Sequence, residues 1–135
     1  MLSHSIPFRV YMADTDASRW IHFAAVMRYF EEAEFSMMQT LGHNFLSMEK
    51  MGFAFPRRKI TTQYHRALKI DDCGTVTIRV AKVGNTSLTF HYELLKDGET
   101  EPHVDAEFVT VCTNVEKGET VRVPDALREG FEKGT

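Results

Sequence analysis

The chain has 135 residues, 43% of them hydrophobic and 26% charged, with a formal net charge of -3. Those values suit a single globular domain over residues 1–135 with its own core, and they exclude a disordered chain. The one basic run, Arg57-Arg58-Lys59, is too short to give an electrostatic footprint for nucleic acid. No apolar run approaches the ~20 residues that cross a bilayer, and residues 1–9 lack the apolar stretch of a secretion signal. Cys73 and Cys112 sit in apolar, strand-like runs and read as buried free thiols, so a cytoplasmic protein is the expectation.

In chain order, residues 6–12 alternate as a short strand with Phe8, Val10 and Met12 on one side. Residues 13–19 are turn-like, rich in side chains that bond nearby backbone. From about Phe23 to Leu41 the period becomes helical. Phe23, Val26, Met27, Phe30, Ala33, Met37 and Leu41 share a face, which Ala24, Ala25, Tyr29, Phe35 and Met38 widen. A helix buried on most sides follows, with Arg28, Glu31, Glu32 and Gln39 as its narrower polar stripe. Gly42 and Asn44 stop it, and residues 45–51 suit a second short helix.

Residues 53–67 read as one long strand, and Asp71-Asp72-Cys73-Gly74 as a turn. Val76, Ile78 and Val80 form the inward row of the next strand, and Leu88, Phe90, Tyr92 and Leu94 that of the one after it. Gly84-Asn85 separates those two, and Asp97-Gly98 is a hairpin signal. Residues 104–115, apolar on both faces in the middle, read as a central last strand, and Pro124 opens a helix ending near Gly134. One strand, one long helix and four strands in meander-like order suit an α+β architecture. A single antiparallel sheet wraps the helix and leaves a face and an edge for another subunit.

Asp14-Thr15-Asp16-Ala17, His22-Phe23 and Arg28-Tyr29-Phe30-Glu31 resemble the opening signature of hotdog-fold acyl-CoA thioesterases of the 4-hydroxybenzoyl-CoA thioesterase type. "RRKITTQYHRALKIDD" and "VGNTSLTFHYEL" resemble later strands of that family, and the similarity covers nearly the whole chain. The resemblance implies a five-stranded hotdog sheet around one central helix and hydrolysis of acyl-CoA thioesters to free acid and CoA. It implies no cofactor or metal, and a homo-oligomer, either a dimer or a tetramer of paired dimers. It maps the catalytic carboxylate onto Asp16 and the carbonyl-binding amide onto the backbone N–H of Phe23, seven positions further on. Helix N-termini offer unpaired N–H donors and a positive dipole end, which suit a developing oxyanion. A nearby carboxylate activates water or attacks directly, and both routes stay open at this level.

His22 is a candidate for substrate contact or proton transfer, and equally for a plain packed or solvent-facing histidine. Ser18-Arg19 stands where many relatives carry glycine. A cation there narrows the site or lowers the pKa of Asp16. Asp14 is expected to bond loop amides. Glu31 is an ordinary solvated acid or, by analogy with related enzymes, a helix acid reaching a site across a subunit interface.

Arg57, Arg58, Lys59, His65 and Arg66 are candidate partners for the phosphates of CoA, or else a charged edge that deters wrong pairing. Thr86 and Ser87 are candidates for the pantetheine arm. The histidines lack metal-ligand spacing, and the absence of Gly-x-Ser-x-Gly excludes an α/β-hydrolase nucleophile elbow. The alternatives are a thioesterase for acyl carrier protein and a non-catalytic acyl-CoA binder, the latter favoured by Ser18-Arg19.

Overall fold

The period-two alternation of the second half of the chain becomes one curled sheet in the computed structural model, which describes residues 1–133. The strands are β1 (Ser3–Arg9), β2 (Phe53–Ala54), β3 (Arg57–Tyr64), β4 (Cys73–Val83), β5 (Ser87–Lys96), β6 (Val104–Val111), β7 (Thr113–Asn114) and β8 (Glu119–Thr120). Five of them form an antiparallel sheet in the order β1-β4-β5-β6-β3. Val76, Ile78, Val80, Leu88, Phe90, Tyr92 and Leu94 are all buried on its inner face, as their alternation predicts.

The long helix α1 (Ala25–Thr40) lies on that face and buries Val26, Tyr29, Phe30, Ala33 and Met37. Phe30 stacks on Tyr92 at 4.7 Å and meets Phe108 edge-on at 5.9 Å. Such aromatic pairing adds to the area term that drives burial. The short helix α2 (Phe45–Met51) forms as expected, and α3 (Asp125–Glu132) docks Leu127 and Phe131 into the core. Its predicted end near Gly134 lies outside the described residues.

Several boundaries differ from the sequence reading. The first strand ends at Arg9, and the chain enters a 3-10 turn at Met12–Asp14, leaving Met12 71% exposed. The expected strand over 53–67 is two strands, because Pro56 has no N–H to give to a ladder. β2 pairs instead with β7 in a small sheet completed by β8. β3 crosses to the far edge and pairs with β6, so only β4, β5 and β6 form a meander. β6 is interior but ends at Val111. Asn44 does not stop α1. It caps α2 by accepting the Ser47 N–H at 2.8 Å, while Gly42, with φ 81°, terminates α1. The turn after β3 closes with the Asp72 N–H on the Lys69 carbonyl at 3.0 Å. Cys73 therefore opens β4 and is only partly buried, whereas Cys112 is buried. α1 is also less enclosed than its apolar girth suggests, with Phe35 46% exposed and Glu31 and Glu32 open beside it.

Candidate active site

The two opening acids sit in opposite environments. Asp14 is buried, and its Oδ2 accepts the Tyr11 N–H at 3.0 Å and the Tyr29 hydroxyl at 2.7 Å. Its Oδ1 accepts the guanidinium of Arg28. Burial alone raises the pKa of Asp14, but the Tyr11 amide, the Tyr29 hydroxyl and Arg28 outweigh it and hold the carboxyl below its usual range. The Asp14 carbonyl also accepts the His22 N–H at 2.8 Å. Asp14 thus ties the loop to α1 through its side chain and to the turn before α1 through its backbone.

Asp16 is exposed, and one oxygen, Oδ1, accepts both the Ser18 N–H at 2.8 Å and the Ser18 hydroxyl. Its Oδ2 has no protein donor among the described residues. Ser18, hydroxyl first and then its backbone N–H, holds the Asp16 pKa below the usual range. The carboxylate opens on a recess of about 210 Å3 walled by Met12, Thr15, Ala17, Arg19 and Ile70. Arg19 therefore lines the site without forming an ion pair with Asp16. The expectation that its cation depresses the carboxylate is replaced by the Ser18 bonds, which sequence reasoning missed. Arg19 itself takes φ 70°, the left-handed conformation that glycine adopts freely.

α1 begins at Ala25, so the Phe23 amide belongs to the turn leading into the helix and not to its first turn. His22 organises that turn. Its carbonyl accepts the Ala25 N–H at 2.9 Å and its Nδ1 accepts the Ala24 N–H at 3.2 Å. The Phe23 N–H has no acceptor among the described residues, while the Phe23 carbonyl accepts the Tyr64 hydroxyl at 3.0 Å. The Phe23 side chain is 67% exposed and stacks on the His22 ring at 4.6 Å, so it is not the core residue its helical spacing suggests.

The other candidates divide between the two ends of the sheet. Register places Leu88 opposite Thr110 and Thr110 opposite Arg57, so Arg57, Thr86 and Ser87 share one end. Tyr64 and the Asp16 loop lie at the other, separated along the 8-residue β3 by about 25 Å. Arg58 and Lys59 are exposed along β3. Arg66 pairs with Glu99 at 3.4 Å and with the Glu101 carbonyl, and His65 pairs with Asp105 at 2.5 Å. The Thr86 and Ser87 carbonyls accept the Cys112 and Gly84 N–H groups at 2.7 and 2.8 Å. Arg57 turns inward onto Glu34 of α1 and over the Phe108 ring, 5.5 Å from its centroid. That pair borders a larger, apolar cavity of about 660 Å3, with Glu31 on its rim. Glu34 was absent from the sequence reading, although it is set among Phe30, Ala33 and Met37 on the buried face of α1.

Residues 10–131 match the family described as the thioesterase-like superfamily. The chain belongs to that superfamily. Over 130 residues it is 28% identical to an acyl-CoA thioesterase, YbgC, of Haemophilus influenzae, covering 94% of this chain and 93% of that protein. Over 129 residues it is 27% identical to the acyl-CoA thioester hydrolase YbgC of Escherichia coli O6:H1, covering 94% of each. The solved structure of Slr0204, a 1,4-dihydroxy-2-naphthoyl-CoA thioesterase from Synechocystis, superposes with a TM-score of 0.88 at 17% identity, over 96% of this chain and 95% of that one. The hotdog fold expected from the sequence is the fold observed, and this thioesterase-like chain is an enzyme of the thioesterase class.

Proposed function

We propose that this thioesterase hydrolyses acyl-CoA to the free acid and CoA, on one domain over residues 1–135, with Asp16 as the reacting carboxylate. The observation that carries this reading is the state of Asp16. It is exposed and held ionised by Ser18, with Oδ2 open onto a recess and the unpartnered Phe23 amide in the turn that follows. A lowered pKa weakens Asp16 as a base toward water, while direct attack on the carbonyl requires only that the carboxylate be ionised. Asp16 Oδ2 adds to the thioester carbonyl carbon while the Phe23 N–H receives the oxyanion. The C–S bond then breaks, and the CoA thiolate leaves and takes a proton. Water hydrolyses the mixed anhydride and restores Asp16. His22, with Nδ1 engaged by the Ala24 amide, has its other nitrogen free for the proton steps.

Two chains pair edge to edge in this reading. Pro7 blunts the β1 edge, whereas the β3 edge carries half-exposed Ile60 and Tyr64. Antiparallel pairing of two β3 strands sets the Arg57 end of one chain beside the Asp16 end of its partner, so the exposed cations Arg58 and Lys59 meet the CoA phosphates from the neighbouring subunit. Two free cysteines suit the reducing cytoplasm, where we place the enzyme. Thiol release from a panel of acyl-CoAs tests the assignment, with the matching acyl carrier protein thioesters alongside. Asp16→Asn is expected to lose at least about a hundredfold in rate. Turnover by that variant at the wild-type rate removes Asp16 from the chemistry.

A further inference from the structure

We infer that the cavity of about 660 Å3 between α1, α2 and β2 receives the acyl group, and that Glu34 and Arg57 select an acyl chain carrying a hydroxyl near its far end. The inference rests on the acyl-CoA reading above, including the β3 pairing that sets the Asp16 end of the paired chain beside this cavity, and names the substrate class within it.

The walls are apolar and adaptable. Phe35, Met38, Phe45, Met48, Phe53 and Phe90 are among the apolar side chains of the lining, and the space fits a chain of many methylenes rather than one ring. An ion pair is set into this apolar wall. Glu34 is 7% exposed and accepts from the Arg57 guanidinium, whose other contact is the Phe55 carbonyl at 3.3 Å. A buried ion pair is usually matched in stability by apolar residues of similar volume, so the packing of the site does not call for one.

Two polar valences are left over on the pair. Glu34 Oε1 has no donor and the Arg57 Nε–H has no acceptor among the described residues. A ligand hydroxyl answers both because it donates and accepts at once: its proton goes to Glu34 and its oxygen takes a donor from Arg57. A carboxylate tip meets Glu31, Glu34 and Glu49 in the lining against Arg57 alone and is repelled. A plain chain leaves both groups unsatisfied in an apolar setting, which is a steep source of discrimination.

Three CoA thioesters test the inference with the whole enzyme: a straight medium-length chain, the same chain with a terminal hydroxyl, and a hydroxylated aromatic ring. The hydroxylated chain is expected to exceed the plain one in kcat/KM by at least about tenfold. The double variant Glu34→Leu, Arg57→Leu is expected to abolish that preference. Arg57→Lys, which keeps a cation beside Glu34 but removes the Nε–H, is expected to reduce the preference through KM rather than kcat. A preference for the plain chain, for the ring over the hydroxylated chain, or one unchanged in both variants overturns the inference. Calorimetric binding of the free acids separates it from the reading beneath it. If the hydroxylated acid binds well above the plain acid while no thioester is hydrolysed, the cavity assignment stands and the hydrolytic one falls. Equal binding of the two acids overturns the cavity assignment whatever the hydrolysis.

Discussion

The amide and hydroxyl of Ser18 converge on one oxygen of Asp16, which lowers that carboxylate's pKa and leaves its other oxygen open. A lowered pKa keeps the ionised form present further into acid, so the acid limb of kcat/KM is expected below the ordinary aspartate value of about 3.9. Ser18→Ala removes the largest cause of the shift, and the limb is then expected to move up toward that value in a pH profile. A limb that stays in place means another group titrates there. Arg19 carries a separate cost. A side chain in the left-handed region is disfavoured by about 1–2 kcal/mol, while glycine there gives back about 0.5–1 kcal/mol through the unfolded chain. Arg19→Gly is therefore expected to leave stability level or raise it by up to about 1.5 kcal/mol in denaturant unfolding, and Arg19→Val to lower it. The sequence singles out Ser18-Arg19 as the unusual pair but assigns the effect to the wrong member. A charge is visible in a sequence, whereas convergence of an amide and a hydroxyl on one oxygen depends on backbone angles that it does not display.

At the level of elements, the inward rows of β4 and β5 and the existence of α1 were readable because burial enforces their periods locally. The start of α1 was misplaced because His22 makes one helix-like bond to Ala25 before the helix proper begins. The crossing of β3 to β6 was hidden because strand partners are non-local, and the alternation of a strand does not name its neighbour. Gly74 shows how closely two of these elements meet. A Cβ there runs into the Leu95 carbonyl oxygen and comes within 2.7 Å of the Phe8 ring. That oxygen belongs to the backbone of β5, directly beside β4, so it cannot step aside as a side-chain tip can. Gly74→Ala is expected to cost about 2–3 kcal/mol, read as a lowered unfolding midpoint with an unchanged slope on denaturant. A neutral result means the β1–β4–β5 contact is looser than its geometry indicates.

At the scale of the whole molecule, the residues expected to act together lie at opposite ends of β3, about 25 Å apart in one chain. Sequence resemblance collected them into one list because a signature carries no record of which subunit supplies each part. If two chains pair along β3, each site takes Asp16 from one chain and the cations Arg58 and Lys59 from the other. Mixing two impaired variants tests this directly. Asp16→Asn lacks the carboxylate, and Arg58→Glu with Lys59→Glu repels the phosphates and is nearly silent at low substrate. In a mixed dimer one site inherits both defects and the other neither. Random exchange makes half the dimers mixed with one good site in each, so refolding the two variants together is expected to restore about a quarter of the wild-type rate. A site built within a single chain gives no recovery, since every chain carries one defect. Ile60→Lys, placed on the exposed edge of β3, is expected to lower activity most at low enzyme concentration, where pairing is weakest, and to shift sedimentation toward the monomer.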